Sequence, residues 1–250
     1  MSALRADALL CSVRAHGEHG AIIRVLTREA GLVAGYVRGG RSRRLRPILM
    51  PGNLVAVELR ARTSGQLAGA TAELVTSRAG LMDEPLAAAA IEWATVLTGA
   101  TLPEELPFPQ LFDALSGLLS AIAAAPAARG WAVALARYEL LLLGELGFGL
   151  ALEECVATGA RDELVYVSPK SGGAVSRAAA AGLEGRLLPL PAFLRGGGEA
   201  GLPDVLAALR VTGHFVEQSL LAGRRDGLGD ARARLIARLE RAVAREDAAG

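Results

Sequence analysis

Gly31-Leu32-Val33-Ala34-Gly35-Tyr36-Val37-Arg38-Gly39-Gly40-Arg41-Ser42-Arg43-Arg44-Leu45-Arg46 begins as an apolar strand and ends as a basic loop. Leu32-Val33-Ala34 carries the strand character, and Gly39-Gly40 opens the loop. Arg38, Arg41, Arg43, Arg44 and Arg46 crowd it, and no acidic residue falls between Glu29 and Glu58. Such a loop suits an anionic polymer. Glycine lets the backbone approach closely, and guanidinium pairs with phosphate in a fork. The first reading is therefore a nucleic-acid-binding module.

The flanking sequence supplies a scaffold for that loop. Asp7–Val13, Ala21–Thr27, Leu32–Val37, Leu54–Arg60 and Gln66–Val75 read as strands. Turn signals separate them at His16–Gly20, Pro51-Gly52-Asn53 and Thr63-Ser64-Gly65. Five short strands with regular turns predict a small barrel or sandwich. The five-stranded OB-fold, which commonly binds oligonucleotides, is the natural candidate. Periodicity alone leaves an SH3-like barrel open.

Charge is unevenly spread along the chain. The net charge of +1 over 250 residues hides a basic first third, with twelve arginines against five acids in residues 1–80. Residues 81–154 reverse the balance, with ten acids against two arginines. Asymmetry of this kind says more about partners than the total does. Lys170 is the single lysine. The arginine bias suits bidentate phosphate contact, and a GC-rich genome also produces it. With aromatics at 4%, the cores must be aliphatic and alanine-rich.

Cys11 and Cys155 cannot form a disulfide framework, and a reducing cytoplasm is the reading. The N-terminus shows no secretion signal. Trp131–Leu152 is the most apolar run, yet it holds Arg137, Glu139 and Glu145. A membrane span would bury those charges at roughly 2.5–3.5 kcal/mol each near its centre. The expectation is a buried core helix.

Near residue 81 the hydrophobic period changes from strand to helix. Asp83-Glu84-Pro85 reads as a helix start. Leu86, Ala90, Trp93 and Leu97 follow on one face; Leu111, Leu115, Leu118, Leu119 and Ile122 repeat the pattern after Pro107-Phe108-Pro109. A third helix is predicted over Gly130–Phe148, with Gly144 and Gly147 as points of close packing. Residues 150–200 are irregular, with a short strand at Val165–Val167 and a flexible joint at Gly196-Gly197-Gly198. Pro203–Arg210, Val211–Ala222 and Asp230–Arg245 complete the helices. Leu235, Ile236, Leu239 and Val243 form the last one's apolar stripe, and its arginines lie mostly off it.

No constellation points to catalysis. His16 and His19 flank Glu18 in a polar turn and lack a third ligand, and His214 stands alone. There is no Gly-x-x-x-x-Gly-Lys-Ser/Thr loop, no Gly-x-Ser-x-Gly elbow and no His-Glu-x-x-His. The chain reads as a non-enzyme without a cofactor. Arg137 has two readings. One is a charge in an apolar run with an internal partner such as Glu92 or Glu104. The other is an anion receptor at the rim of an apolar groove, able to hold a peptide with a carboxylate and a hydrophobic side chain.

The order of several motifs resembles one family across nearly the whole chain. They are Leu26-Thr27-Arg28-Glu29-Ala30-Gly31-Leu32, Val37-Arg38-Gly39-Gly40-Arg41 and Leu49-Met50-Pro51-Gly52-Asn53. Further on come Arg137-Tyr138-Glu139-Leu140-Leu141-Leu142-Leu143-Gly144-Glu145-Leu146-Gly147-Phe148, Val167-Ser168-Pro169 and Leu209-Arg210-Val211-Thr212-Gly213-His214-Phe215. Together they resemble the RecO family of bacterial recombinational-repair proteins. The resemblance implies an α+β chain. An N-terminal OB-fold β-barrel (1–80) precedes an all-helical C-terminal domain (81–250) with a small irregular insertion at about 153–200.

The resemblance also implies a function. Members bind single- and double-stranded DNA and anneal complementary strands. They bind the C-terminal tail of single-stranded-DNA-binding protein and, with RecR, help load the RecA recombinase onto coated strands. The implied location is cytoplasmic, at the nucleoid during repair. By resemblance Arg38, Arg41, Arg43, Arg44 and Arg46 are DNA contacts. The tail-binding pocket is placed around Arg137, Phe215, Leu220, Arg224 and Arg225. Some members hold zinc with four cysteines. Here only Cys155 matches, while Thr158, Ser176 and Ala179 fall at the other positions, and one thiolate cannot build a structural zinc site. The expectation is no metal, with packing in its place. The acidic middle predicts that DNA follows the barrel and one face of the C-terminal helices. The alternative is an OB-fold RNA-binding or translation-linked protein.

Overall fold

The computed structural model describes residues 2–61, 66–125, 127–196, 200–222 and 227–247. The chain divides into two compact units, 1–126 and 127–250.

The first unit is built on five strands: β1 (Ser2–His16), β2 (Gly20–Thr27), β3 (Gly31–Val37), β4 (Leu54–Ala61) and β5 (Ala68–Thr76). They close into a barrel in the order β1-β2-β3-β5-β4, the OB-fold expected from the strand pattern. β1 makes closure possible. Its first half pairs with β4 and its second with β2, and the register shifts between Leu10 and Ser12. A bulge of this kind bends a strand around a barrel. The seam is a short parallel pairing of β3 with β5, Gly35 with Ala68 and Tyr36 with Gly69. Gly35 is needed there, because a Cβ would lie 2.7 Å from Ala70 Cβ and 2.9 Å from Leu59 Cδ2.

The barrel core is aliphatic, drawn from Ala8, Leu10, Ile23, Val25, Val55, Val57 and Leu59. Its small side chains match the low aromatic content. Cys11 is fully buried, and burial pushes its thiol up to about 12, so it acts as a small apolar side chain.

Two helices belong to this unit: α1 (Pro85–Thr101) and α2 (Pro109–Ala124). The period change near residue 81 falls between β5 and α1. Both helices rest on the barrel, within the compact unit that runs to residue 126. Alanine-rich α1 approaches β1 closely: a Cβ on Gly99 would sit 3.2 Å from Cys11 Cβ. Charge fixes the arrangement. Arg24 on β2 donates to the Gly99 carbonyl and pairs with Glu104 at 2.9 Å. Arg28 makes a two-pronged contact with Asp113 on α2 at 3.0 and 2.9 Å.

The second unit contains α3 (Ala132–Glu145), α4 (Leu202–Phe215) and α5 (Leu228–Asp247). α4 packs against both others. α3 ends at Glu145, short of the predicted Phe148. Gly147 takes a left-handed φ of 85° and caps the helix, with its N–H donating to the Gly144 carbonyl at 3.0 Å. No atom lies within 4 Å of a Cβ built on Gly144 or Gly147, so neither is a packing glycine. The predicted break between Arg210 and Val211 is absent. α4 is continuous there and passes into a π-helical turn, Val216–Leu220.

The insertion is more ordered than its sequence suggests. β6 (Ala151–Cys155), β7 (Leu164–Val167), β8 (Gly173–Ser176) and β9 (Leu188–Pro189) form a small sheet in the order β6-β8-β7-β9. Strands of two to five residues carry too few alternations to be read from periodicity. Among the described residues no helix is long and apolar enough to cross a membrane.

Candidate nucleic-acid interface

The basic stretch after β3 is a chain of tight turns. Ser42 N–H donates to the Gly39 carbonyl at 2.8 Å, Arg46 N–H to Ser42 at 3.0 Å, and Leu49 N–H to Leu45 at 2.8 Å. Leu49 is buried against the barrel core, with Leu45 and Ile48 packed beside it. The apolar residues face inward, and Arg38, Arg41, Arg43, Arg44 and Arg46 are all exposed. The two glycines differ in role. Gly39 has a left-handed φ of 67°, which a turn needs. Gly40 lies against β2, where a Cβ would come within 2.7 Å of Ala21 Cβ. The close approach foreseen at the paired glycines is thus, at Gly40, to the barrel itself.

Both ends of the loop are anchored. Near its start Arg41 N–H donates to the His19 carbonyl at 3.2 Å, and the Arg41 guanidinium to the Glu18 carbonyl at 3.0 Å. At its end stands Asn53, fully buried. Its amide donates to the Pro47 and Ile48 carbonyls at 2.9 and 3.0 Å, and its Oδ1 accepts Arg78 N–H at 2.8 Å. Gly52 supports it with a φ of 89° and no room for a Cβ beside Ile91 of α1. The sequence marks Pro51-Gly52-Asn53 only as a turn. The signal that more is involved is its place between two apolar residues, Leu49 and Leu54.

Five other arginines of the unit sharpen the charge map. Glu58 accepts from Arg5 at 2.9 Å and Arg60 at 2.6 Å, and those guanidiniums hold its carboxyl below the usual carboxylate range. Arg24 and Arg28 are paired with Glu104 and Asp113. Arg78 is buried, and desolvation lowers its pKa. No carboxylate among the described residues pairs with an arginine of the loop. Two open grooves flank Arg41. One, of about 550 Å³, touches Val13, Ala21, Arg46 and Leu49; the other, of about 510 Å³, touches Glu18, His19, Arg38 and Ser42. Tyr36 is half-buried and meets His16 edge-on at 5.8 Å. That contact fixes the one aromatic of the barrel strands beside the basic surface.

The residues expected to receive a peptide lie in the second unit. Arg137 on α3 is exposed rather than buried; its guanidinium reaches the Phe193 carbonyl at 3.4 Å and lies 5.9 Å from that ring's centre. Glu104, offered as its internal partner, is paired with Arg24. Phe215 is buried at the end of α4, where a Cβ on Gly172 would lie 3.5 Å from its ring. Leu220 is half-exposed in the π-helical turn. Arg137 and Phe215 therefore rest against different neighbours. Arg224 and Arg225 lie outside the described residues.

The buried charge of α3 is Glu139. It has no exposed surface, accepts from the Thr212 hydroxyl, and meets Arg232 of α5 at 3.3 Å. Arg232 also donates to the Leu209 carbonyl at 2.5 Å. Gly213 leaves room for this guanidinium, which occupies the place a Cβ would take. The motif Thr212-Gly213 thereby has a packing reason.

Around Cys155 hydrogen bonds hold the insertion together. Its sulfur accepts Ser176 N–H at 3.3 Å, and the Thr158 hydroxyl also donates to it. These donors lower the thiol to about 6 despite its small exposure. Among the described residues no group of three His, Cys, Asp or Glu side chains is placed to hold a metal.

Two family descriptions match the chain: the N-terminal part of recombination protein O over residues 1–78, and its C-terminal part over residues 82–226. A DNA repair protein RecO from Paracoccus denitrificans is 45% identical over 236 residues, covering 93% of this chain and 94% of the relative. The protein of the same name from Caulobacter vibrioides is 44% identical over 240 residues, covering 94% and 97%. That from Rhodospirillum centenum is 43% identical over 239 residues, covering 94% of each. With both halves matched and likeness running almost end to end, the chain belongs to the RecO family.

Proposed function

We propose that this protein acts in DNA repair as a non-enzymatic mediator. It binds single- and double-stranded DNA through the barrel loop and anneals complementary strands. Together with RecR it helps load RecA onto strands coated by single-stranded-DNA-binding protein. It meets that coating protein's C-terminal tail through the second unit, with Arg137, Phe215, Leu220, Arg224 and Arg225 as the residues to test. One observation carries the DNA reading: five exposed arginines project from an anchored loop and meet no carboxylate among the described residues, while on the same barrel Arg5 and Arg60 share Glu58, Arg24 meets Glu104 and Arg28 meets Asp113. Guanidiniums that meet no carboxylate on an anchored loop are prepared for phosphate. Family membership and the relatives' shared description support the repair role.

Binding by fluorescence anisotropy across a salt series tests the reading. Five phosphate contacts on a single strand predict a slope of log affinity against log salt of about −3.5. Replacing Arg41, Arg43 and Arg44 together by alanine is expected to reduce it by about 2 and to slow annealing. The thermal transition of the barrel should stay in place, since exposed substitutions usually change stability by within about 0.5 kcal/mol. A wild-type slope in that variant, or marked preference for RNA over DNA, overturns the proposal.

A further inference from the structure

The barrel has two unlike ends. At one, beyond Val37, the turns of the basic loop close it, with Leu45, Ile48 and Leu49 packed into its core. At the other lies an open groove of about 790 Å³, bordered by the first residues of β1 and β5, the first half of β3 and the segment that joins α1 to α2. Leu4, Val33 and Leu59 line it, and all three belong to the barrel's aliphatic core. Leu67 also lines it, and Leu106 stands between two lining residues, Glu105 and Pro107. These two leucines are 48% and 50% exposed, so apolar surface continues from the groove to its mouth.

The rim of this groove is acidic, and folding builds it. Gly31 has a left-handed φ of 71°, and a Cβ there would collide with the Leu106 carbonyl, so the segment from α1 to α2 lies directly on β3. Glu105 N–H donates to the Leu32 carbonyl at 2.9 Å, and the Arg24–Glu104 pair ties the same segment to β2. Glu105 itself holds a φ of 60°, a conformation costly for a residue with a side chain and kept only where its surroundings impose it. Glu29, Glu104 and Glu105 line the groove, and no basic side chain among the described residues does. Arg24 answers Glu104. Arg28 neighbours Glu29 in sequence, but both prongs of its guanidinium go to Asp113. Glu29 and Glu105 form no ion pair with a described residue.

We infer that this end of the barrel is a docking site for a segment of a partner protein that carries arginine or lysine beside a large aliphatic side chain. Charge complementarity selects the occupant. Two carboxylates without a cation of their own call for one from outside, and the apolar lining takes the aliphatic side chain. Phosphate and acidic peptides are repelled, so the site is separate from the DNA surface and does not rest on that reading. A second copy of the chain would bring its arginine loop, but the apolar residues of that loop are turned into their own barrel. It would offer charge without an anchor. A small polycation would leave the leucines at the mouth uncovered.

The test titrates the full chain with labelled peptides of alternating leucine and arginine, alanine and arginine, or leucine and glutamate. The leucine–arginine peptide is expected to bind wild type most tightly. Glu29→Gln with Glu105→Gln should weaken it about tenfold through the two lost ion pairs. Leu67→Gln with Leu106→Gln should weaken it by about as much through lost apolar contact. All four positions are exposed, so both variants should keep the wild-type melting temperature. Asp83→Asn with Glu84→Gln, which removes acids outside the groove, and the Arg41/Arg43/Arg44 alanine variant should bind the peptide as wild type does. Wild-type affinity in both groove variants, equal binding of the alanine–arginine peptide, or no binding of the leucine–arginine peptide overturns the inference. Displacement of that peptide by spermidine at equal concentration overturns it in favour of a small polycation, and a rise in mass with concentration that the groove variants abolish overturns it in favour of self-association. The salt dependence of DNA binding reads the loop and not the groove, so each of these outcomes leaves the proposed function standing.

Discussion

Two sets of arginines mark the two units differently. In the barrel unit Arg38, Arg41, Arg43, Arg44 and Arg46 stand in water with no carboxylate partner among the described residues, on a loop anchored by backbone turns. In the second unit Arg232 is buried with Glu139, shares a carboxylate oxygen with Thr212, and fills the space Gly213 leaves. The same side chain is left to solvent in one place and serves structure in the other. What separates them is whether the charge is answered from within. An exposed row of guanidiniums is available to phosphate. A buried guanidinium is spent on its neighbour, because leaving either charge alone in the interior is expensive.

The largest effect that bears on this comparison is expected at Arg232. Arg232→Ala removes the cation that faces buried Glu139 and should cost about 3–5 kcal/mol, read as a lower denaturant midpoint with an unchanged slope. Restoring stability by a second change, Glu139→Gln, would confirm that the buried negative charge, no longer balanced by a cation, is the cause. An unaltered midpoint in the single variant would place Arg232 with the solvent-facing set.

Asn53→Ala comes next. It leaves the Pro47 and Ile48 carbonyls and Arg78 N–H without their partner, at about 1–3 kcal/mol for each group that stays buried. Faster hydrogen exchange of the amides from Leu45 to Leu49 would show that the arginine loop depends on this anchor. Unchanged exchange would mean the turns hold themselves.

The smallest effect concerns the cysteines, a second pair of like residues in unlike settings. Cys155, lowered to about 6, is predicted to show thiolate ultraviolet absorbance rising through that pH; the rise should vanish in Cys155→Ser, while Cys11, near 12, stays silent. The sign for stability follows from the depressed value. Between about 6 and the ordinary thiol value of 9.0 the unfolded chain holds the extra proton, so stability rises with pH across that window and is lost as pH falls through it. A flat profile would show that the Thr158 and Ser176 donors do not favour the thiolate.

Parts of this molecule were plain in its sequence. The five strands, the loop that follows the third, and the helix start at Pro85 are short-range features, written by alternation, turn residues and proline. The arginines of the loop were legible because charge density needs no fold to be counted. The small sheet around β8 was not, since its strands are too short to show a period. Of the two readings of Arg137, the internally paired one came from its apolar neighbours in sequence, and a helix separates such neighbours onto different faces, leaving Arg137 exposed. Glu139, two residues on, is the one turned inward.

By itself, then, the sequence determined the barrel, its run of helices, the family and the place where positive charge gathers. Each rests on residues close together in the chain or on their order along it. Only the tertiary structure decided which charges are answered. Arg28 meets Asp113 across 85 positions and Arg232 meets Glu139 across 93, pairings that no local pattern specifies. Among the described residues the loop arginines meet no carboxylate, and that is seen only once folding has brought the other charges to their partners.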